Sequence, residues 1–390
     1  MRIFAILLLA LLAGCASAPR ADLAPAAGLF SDAAFAAPSE PADASQLFTL
    51  SPDMRAYAHS AAFSQRVRDK GPVTGLLEAL YKKGELRLEY ESSMTRNAAQ
   101  TFAARSGNCL SLVVMTAAFA KELGMAVRFQ SVDVDDTWSR KASLYLASSH
   151  VNLALGRRPT DILHGADLME RLVTIDFLPP PDAARFHTSQ LEESDIVTLY
   201  MNNRAAEALV QDRIDDAYWW ARTAVARPDA PVAALNTLGV VYQKRGDNQH
   251  AERVFRAALA REPDNLVVMQ NLVPVLAAAG KTAESQALAT RLARLDPNPP
   301  FSFFNEGMQA FNRGEFKKAK ALFEREVDRA PYNDEFHFWL AIACLRLGEP
   351  GQAREQLSLA VDNSTRRDVR ERYSVKLMHL RSHLPDRKLD

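Results

Sequence analysis

Cys109, His150 and Asp176 have the residue types and the order in the chain that acyl transfer needs. A cysteine attacks as its thiolate, which requires a base within hydrogen-bond reach and a third group to orient that base. Cys109 follows Ser106, Gly107 and Asn108 and opens a long apolar run, a pattern that predicts a thiol on the first turn of a helix. The positive end of the helix dipole favours thiolate at such a position. His150 begins an alternating segment and Asp176 ends another, so both are expected on strands. His164 also lies between Cys109 and Asp176, but Pro159, Asp161 and Gly165 mark a loop there, and His150 is preferred as the base.

These residues depend on the elements that carry them. Short helices are expected over 73–82 and 97–104, and a longer one from Asn108 to a glycine stop at Gly124. That longer helix is apolar around its whole circumference, which predicts burial. Segments 126–134, 150–155 and 172–177 alternate as strands do. Helix first and strands after is an α+β order. Asp133, Asp135 and Asp136 are expected at a solvated turn rather than on a metal, and there is no histidine pair at zinc spacing.

The stretch Arg105-Ser106-Gly107-Asn108-Cys109, the apolar helix to Leu123-Gly124, then His150-Val151-Asn152-Leu153 and Thr174-Ile175-Asp176, with Thr95, Ala98 and Ala99 before them, resembles the transglutaminase-like branch of the papain-like cysteine hydrolases. The resemblance covers roughly residues 85–180. It implies Cys109 as nucleophile, His150 as general base and acid, and Asp176 as the orienter of His150. It also implies the Cys109 main-chain N–H as one oxyanion donor and chemistry that needs no cofactor.

The C-terminal half repeats itself. Pro263, Pro297 and Pro331 are spaced by 34 residues, as are Gly246, Gly280, Gly314 and Gly348, and also Ala251, Ser285, Ala319 and Ala353. Within 232–265 the line Leu238-Gly239-Val240-Val241-Tyr242, then Ala251, Phe255, Ala258 and Pro263, is similar to the tetratricopeptide repeat. Registered repeats are expected at 232–265, 266–299, 300–333 and 334–367, with a looser one near 198–231 and a capping helix over 368–384. Pro274 should kink its helix, Glu306 departs from the pattern, and Cys344 belongs to the core. The resemblance implies a concave groove lined by Asn236, Val240, Lys244, Gln270, Phe304, Met308, Phe311, Phe338 and Arg346. Its mix of residues suits a protein or peptide with an apolar segment.

The N-terminus supplies an address. Arg2 precedes an apolar run over 3–13 that is too short to cross a bilayer, and the run ends in Leu12-Ala13-Gly14-Cys15. This resembles a bacterial lipoprotein signal, which implies removal of 1–14, acylation of Cys15 and attachment to the membrane by acyl chains. Ala16 after the cysteine favours the outer membrane, facing the periplasm. Residues 15–50, rich in Ala and Pro, read as the lipidated cysteine and a flexible tether.

The balance of 47 basic and 47 acidic residues gives no footprint for nucleic acid, and three cysteines in 390 residues exclude a disulfide scaffold. The expected organisation is therefore a signal (1–14), a tether (15–50), an α+β transglutaminase-like, papain-like domain (51–195) and an all-α tetratricopeptide solenoid (196–390). The function expected of it is a membrane-anchored envelope protein that transfers acyl groups through cysteine, as protease, amidase or transglutaminase, and binds a protein through its repeats. The alternative is a non-catalytic binding or assembly lipoprotein.

Overall fold

The computed structural model of the protein describes residues 26–82, 86, 88–91, 94–141, 144–156, 172–177 and 188–383, with backbone alone for 26, 27, 89, 133–141, 144–150 and 383. Cys15 and His164 lie outside the described residues. Three short helices come first: α1 (Pro52–Ala58), α2 (Ala61–Lys70) and α3 (Pro72–Tyr81). Strand β1 (Glu89–Tyr90), α4 (Ala98–Ala104), β2 (Ser106–Gly107) and α5 (Cys109–Glu122) follow. Then come β3 (Ala126–Lys141), β4 (Leu144–Gly156), β5 (Val173–Ile175) and β6 (Thr188–Leu191).

β1 and β2 pair in parallel, and the other four strands form an antiparallel sheet in the order β5-β4-β3-β6. Being apolar all round, α5 buries every residue from Leu110 to Ala120. It packs on β3 and β4. The acidic cluster Asp133, Asp135 and Asp136 falls within β3, at a register shift between Val132 and Thr137, and not in a turn. A bulge takes up extra residues without ending the strand, which a residue-by-residue reading takes for a turn.

The rest of the chain is helical. The pairs are α6 (Glu193–Val210) with α7 (Ile214–Val225), and α8 (Val232–Arg245) with α9 (Asn248–Arg261). Next are α10 (Leu266–Ala278) with α11 (Thr282–Leu295), and α12 (Ser302–Asn312) with α13 (Phe316–Arg329). The last pair is α14 (Asp334–Arg346) with α15 (Pro350–Asn363), and α16 (Arg367–His383) packs on α15 as a cap. The glycine column ends first helices in the left-handed region, at φ 85°, 75°, 80° and 76°, where a side chain would be strained. Helix α10 runs on through Pro274, because Leu272, Val275 and Leu276 on either side of it are buried. Burial of that face compensates for the lost main-chain hydrogen bond.

Two expectations about boundaries need correction. The border at 195/196 is not a gap: α6 begins two residues after β6 ends, and one hydrophobic core runs from Phe35 through α5 and the sheet to Leu276 on α10. A second core runs from Phe301 to Leu380. Nor is all of 15–50 a tether. Residues 26–40 are seated on α7 and α8, and Ala44 and Leu47 enter the first core. The contacts that hold this segment come from residues far along the chain, so its composition shows nothing of them.

Candidate functional site

Asn108 builds the start of α5. Its side-chain oxygen accepts the main-chain N–H of Ser111 at 2.9 Å and the Ser111 hydroxyl at 2.8 Å, and its Nδ2 donates to Thr95 Oγ1 at 2.7 Å. The Arg96 N–H donates to Ser111 Oγ at 2.9 Å, and the Thr95 N–H donates to Glu207 of α6 at 2.7 Å. Gly107 is required by this packing, since a Cβ there would lie 2.6 Å from Cβ of Ser111. The cap therefore ties the segment before α4 to the first turn of α5, where Cys109 stands half-buried.

Main-chain N–H groups of Leu110 and Val151 are directed at the Cys109 sulfur, and the Asp176 carboxylate is close enough to act on it through its charge. Val151 is the residue after His150, so that end of β4 lies at the α5 N-terminus. Register puts Leu153 opposite Ile175, and Asp176 follows directly after the end of β5. Position 150 pairs with Val132 on β3, and the imidazole lies outside the described side chains.

Burial pushes the Cys109 thiol above its ordinary value and the Asp176 charge adds to that, while the main-chain N–H groups oppose it.

Tyr90 and Gln130 stand out only in the structure, and Asn152 stands in the sequence only as part of the resemblance, with no role assigned to it. Tyr90 pairs with Gly107 across β1 and β2. Its phenol is pushed up, first by burial and then by the Cys109 charge, and the Cys109 main-chain N–H is directed at its oxygen. The proposed oxyanion donor therefore already has a neighbour. Asn152 and Gln130 face each other across β4 and β3, and each has a buried amide oxygen without a partner among the described residues. The only signal of this pair in the sequence is a polar residue at the matching place in two apolar strands.

The groove residues divide by burial. Val240 (7% exposed) and Phe304 (0%) are core, which corrects their assignment to the groove. Large side chains on first helices fill the space between helices as well as the inner face. Lys244 and Arg346 are exposed, and Gln270 and Met308 are half-buried. Asn236 accepts a hydrogen bond from Asn271 Nδ2 at 2.8 Å, joining successive first helices. Phe311 meets Trp339 edge-on at 5.7 Å, and Phe338 is stacked on Tyr373 of the capping helix at 4.7 Å. Cys344 is fully buried and its thiol is pushed up to about 11, chiefly by burial.

With helix pairs, the glycine column and small residues at one spacing in view, residues 232–265 and 310–368 each match a family model of the tetratricopeptide repeat. The chain carries tetratricopeptide repeats. Similar solved structures include YrrB, described as a repeat protein with an unusual peptide-binding site, at 18% identity over 46% of this chain and 92% of that one, TM-score 0.25. TTC0263, a thermophilic repeat protein of Thermus thermophilus, is 20% identical over 46% of this chain and 99% of that one, TM-score 0.30. PilF of Pseudomonas aeruginosa is 18% identical over 49% and 95%, TM-score 0.28. No curated protein matches the chain in sequence. Among the described residues no helix is long and apolar enough to cross a membrane, and no group of three or more His, Cys, Asp or Glu is placed to hold a metal.

Proposed function

We propose that residues 51–195 are a transglutaminase-like cysteine acyl-transfer domain, joined to repeats that bind a protein partner and anchored to the cell envelope through Cys15. The observation that carries the catalytic reading is the approach of the Val151 N–H to the Cys109 sulfur, with the Asp176 charge acting on the same thiol. This juxtaposition of helix start and strand end is what the Cys–His–Asp roles require.

In this reading the thiol is protonated at rest, and His150 removes its proton as a substrate amide arrives. The sulfur attacks the carbonyl carbon, a C–S bond forms, and His150 returns the proton to the leaving nitrogen as the C–N bond breaks. Water then hydrolyses the thioester to an acid, or an amine converts it to a new amide, and the thiol is regenerated. Asp176 orients the imidazole. The repeats would recruit the substrate protein, through the exposed residues of their inner face.

The anchor is a separable part of this reading. Ala26, already held by the fold, stands eleven positions after Cys15. An extended chain of that length reaches about 40 Å at most, so the first repeats would work close to the outer membrane, on its periplasmic side. Labelled fatty acid entering the wild type but not Cys15→Ala supports the anchor, and equal labelling of both rejects it.

The raised Cys109 thiol favours a second reading, a binding lipoprotein whose α+β domain performs no chemistry. Site-resolved alkylation of Cys109 across pH separates the two. A rate that follows an inflection in the histidine range, and moves above the ordinary thiol range in folded His150→Ala, supports catalysis. Identical profiles in both proteins reject it.

A further inference from the structure

We propose that the outer edge where the first and second helix pairs of the array meet, formed by Tyr218, Trp219 and Arg222 of α7 with Tyr242 and Arg245 of α8, is a recognition site for an extended aromatic–acid–aromatic peptide. Its occupant in this chain is the segment 29–40. The site is distinct from the inner groove, because three of its five residues stand on α7, the second helix of its pair.

The first argument is how the segment's backbone is held. Only two three- or four-residue turns of 3₁₀ helix occur over 26–34, so most of its main-chain groups find no partner within the segment. Side chains of the repeats take that place. The Tyr242 hydroxyl donates to the Leu29 carbonyl at 2.9 Å, and the Tyr218 hydroxyl accepts the Ser31 N–H at 3.0 Å. Trp219 Nε1 donates to the Ala36 carbonyl at 2.6 Å. Asp215 accepts the Ala36 N–H at 3.1 Å and Asp216 accepts the Ser39 N–H at 2.6 Å. Main-chain groups spread over eleven residues are thus paired by side chains of two helices. Buried main-chain groups must find partners, and in this segment those partners are side chains of α7 and α8, as a receptor supplies them to a bound extended peptide.

The second argument is the pair of side-chain subsites. Phe35, 8% exposed, lies flat on Tyr218 with ring centroids 3.7 Å apart, and the Arg245 guanidinium stands 4.4 Å from its centroid. Asp32 is held by Arg222 through both oxygens, Nε to Oδ1 at 2.8 Å and Nη2 to Oδ2 at 3.0 Å, and Tyr218 donates to Oδ1 at 2.5 Å. Arg222 also covers the Phe30 ring at 4.9 Å. A two-toothed arginine fixes the position and direction of a carboxylate, and an aromatic slot fixes the ring three residues later. The pattern read is therefore Phe-x-Asp-x-x-Phe.

Pro41 and Asp43, just after the segment, are exposed. A protease recognition sequence inserted between Pro41 and Ala42 of the full chain lets the N-terminal piece be cut from the folded protein. The expected result is that the piece stays with the body in gel filtration at micromolar concentration and is replaced by a labelled synthetic peptide of residues 26–41. A peptide with Asp32→Lys and Phe35→Ala should fail to replace it. Arg222→Asp in the body should release the piece, and the reversed pair Asp32→Arg with Arg222→Asp should regain it, which a general folding defect would not allow. Loss of the piece from a body that remains folded overturns the proposal, as does equal displacement by the doubly substituted peptide.

Discussion

The Phe35 ring lies against Tyr218 with an interplanar angle of 3°, and Tyr242 meets its edge at 5.7 Å. This contact joins the start of the described chain to the second helix of the repeat array, and it sits in the core that also contains α5. The first repeats, as far as α10, and the domain bearing Cys109 therefore share one interior, and a change at the seat of the N-terminal segment acts on both.

Phe35→Ala should destabilise the protein by about 3 kcal/mol, the cost of removing a buried aromatic ring and leaving its cavity. Phe35→Leu should cost less than half of that. Urea unfolding of the three proteins, compared at constant slope, measures both values.

Acid should loosen the segment. Hydrogen bonds from Arg222 and Tyr218 hold the Asp32 carboxyl below its ordinary value of 3.8. Asp216 is also held low: burial pushes it up, but hydrogen bonds from Ser39 and Arg213 outweigh that. A carboxyl lowered by folding stabilises the fold above its unfolded value, and that contribution is lost as pH falls through the folded one. Trp219 fluorescence, which reports the Ala36 contact, should therefore change below about pH 4 and stay constant between pH 5 and 7. Asp32→Asn should remove much of this transition.

Glu326 is 1% exposed and caps α12 from a distance, accepting the N–H groups of Phe301 at 3.2 Å and Phe304 at 3.1 Å, with Arg329 at 3.3 Å. Glu326→Ala removes a buried carboxylate that accepts from both donors and should cost about 3 kcal/mol. Hydrogen exchange at the α12 N-terminus should accelerate, while amides of α8 and α9, in the other core, should not change.

Asn108→Ala removes the cap of α5 and should cost about 1–2 kcal/mol. Because the same side chain holds Thr95 and Ser111, the alkylation rate of Cys109 should change with it, whereas Cys344, buried in the second core, should be unaffected. Asn108→Asp keeps the capping oxygen and should recover most of the stability.

Much of the architecture was legible from residue order. The helix beginning at Asn108 was readable because a capping residue, a continuous apolar run and a glycine stop are all local signals. The paired helices of the array were readable because packing against a neighbour demands small residues and left-handed glycines at a constant spacing. Cys109 was readable at the first turn of the Asn108 helix from the same local signals.

Other features rest on contacts that no local pattern encodes. The seat of residues 26–40 depends on Tyr218, Arg222 and Tyr242, some two hundred positions away, so an Ala- and Pro-rich stretch gave no sign of it. Val240 and Phe304 occupy first-helix positions like those of Lys244 and Arg346, yet they face inward, because helix crossing decides which side of a first helix meets its neighbour. The Cys109 thiol is pushed up chiefly by burial, and desolvation is a property of what surrounds a group. Periodicity and capping act within a few residues of chain, and these the amino-acid order determined; burial, charge pairing and the course of an irregular segment are set by distant partners, and only the folded chain brings those together.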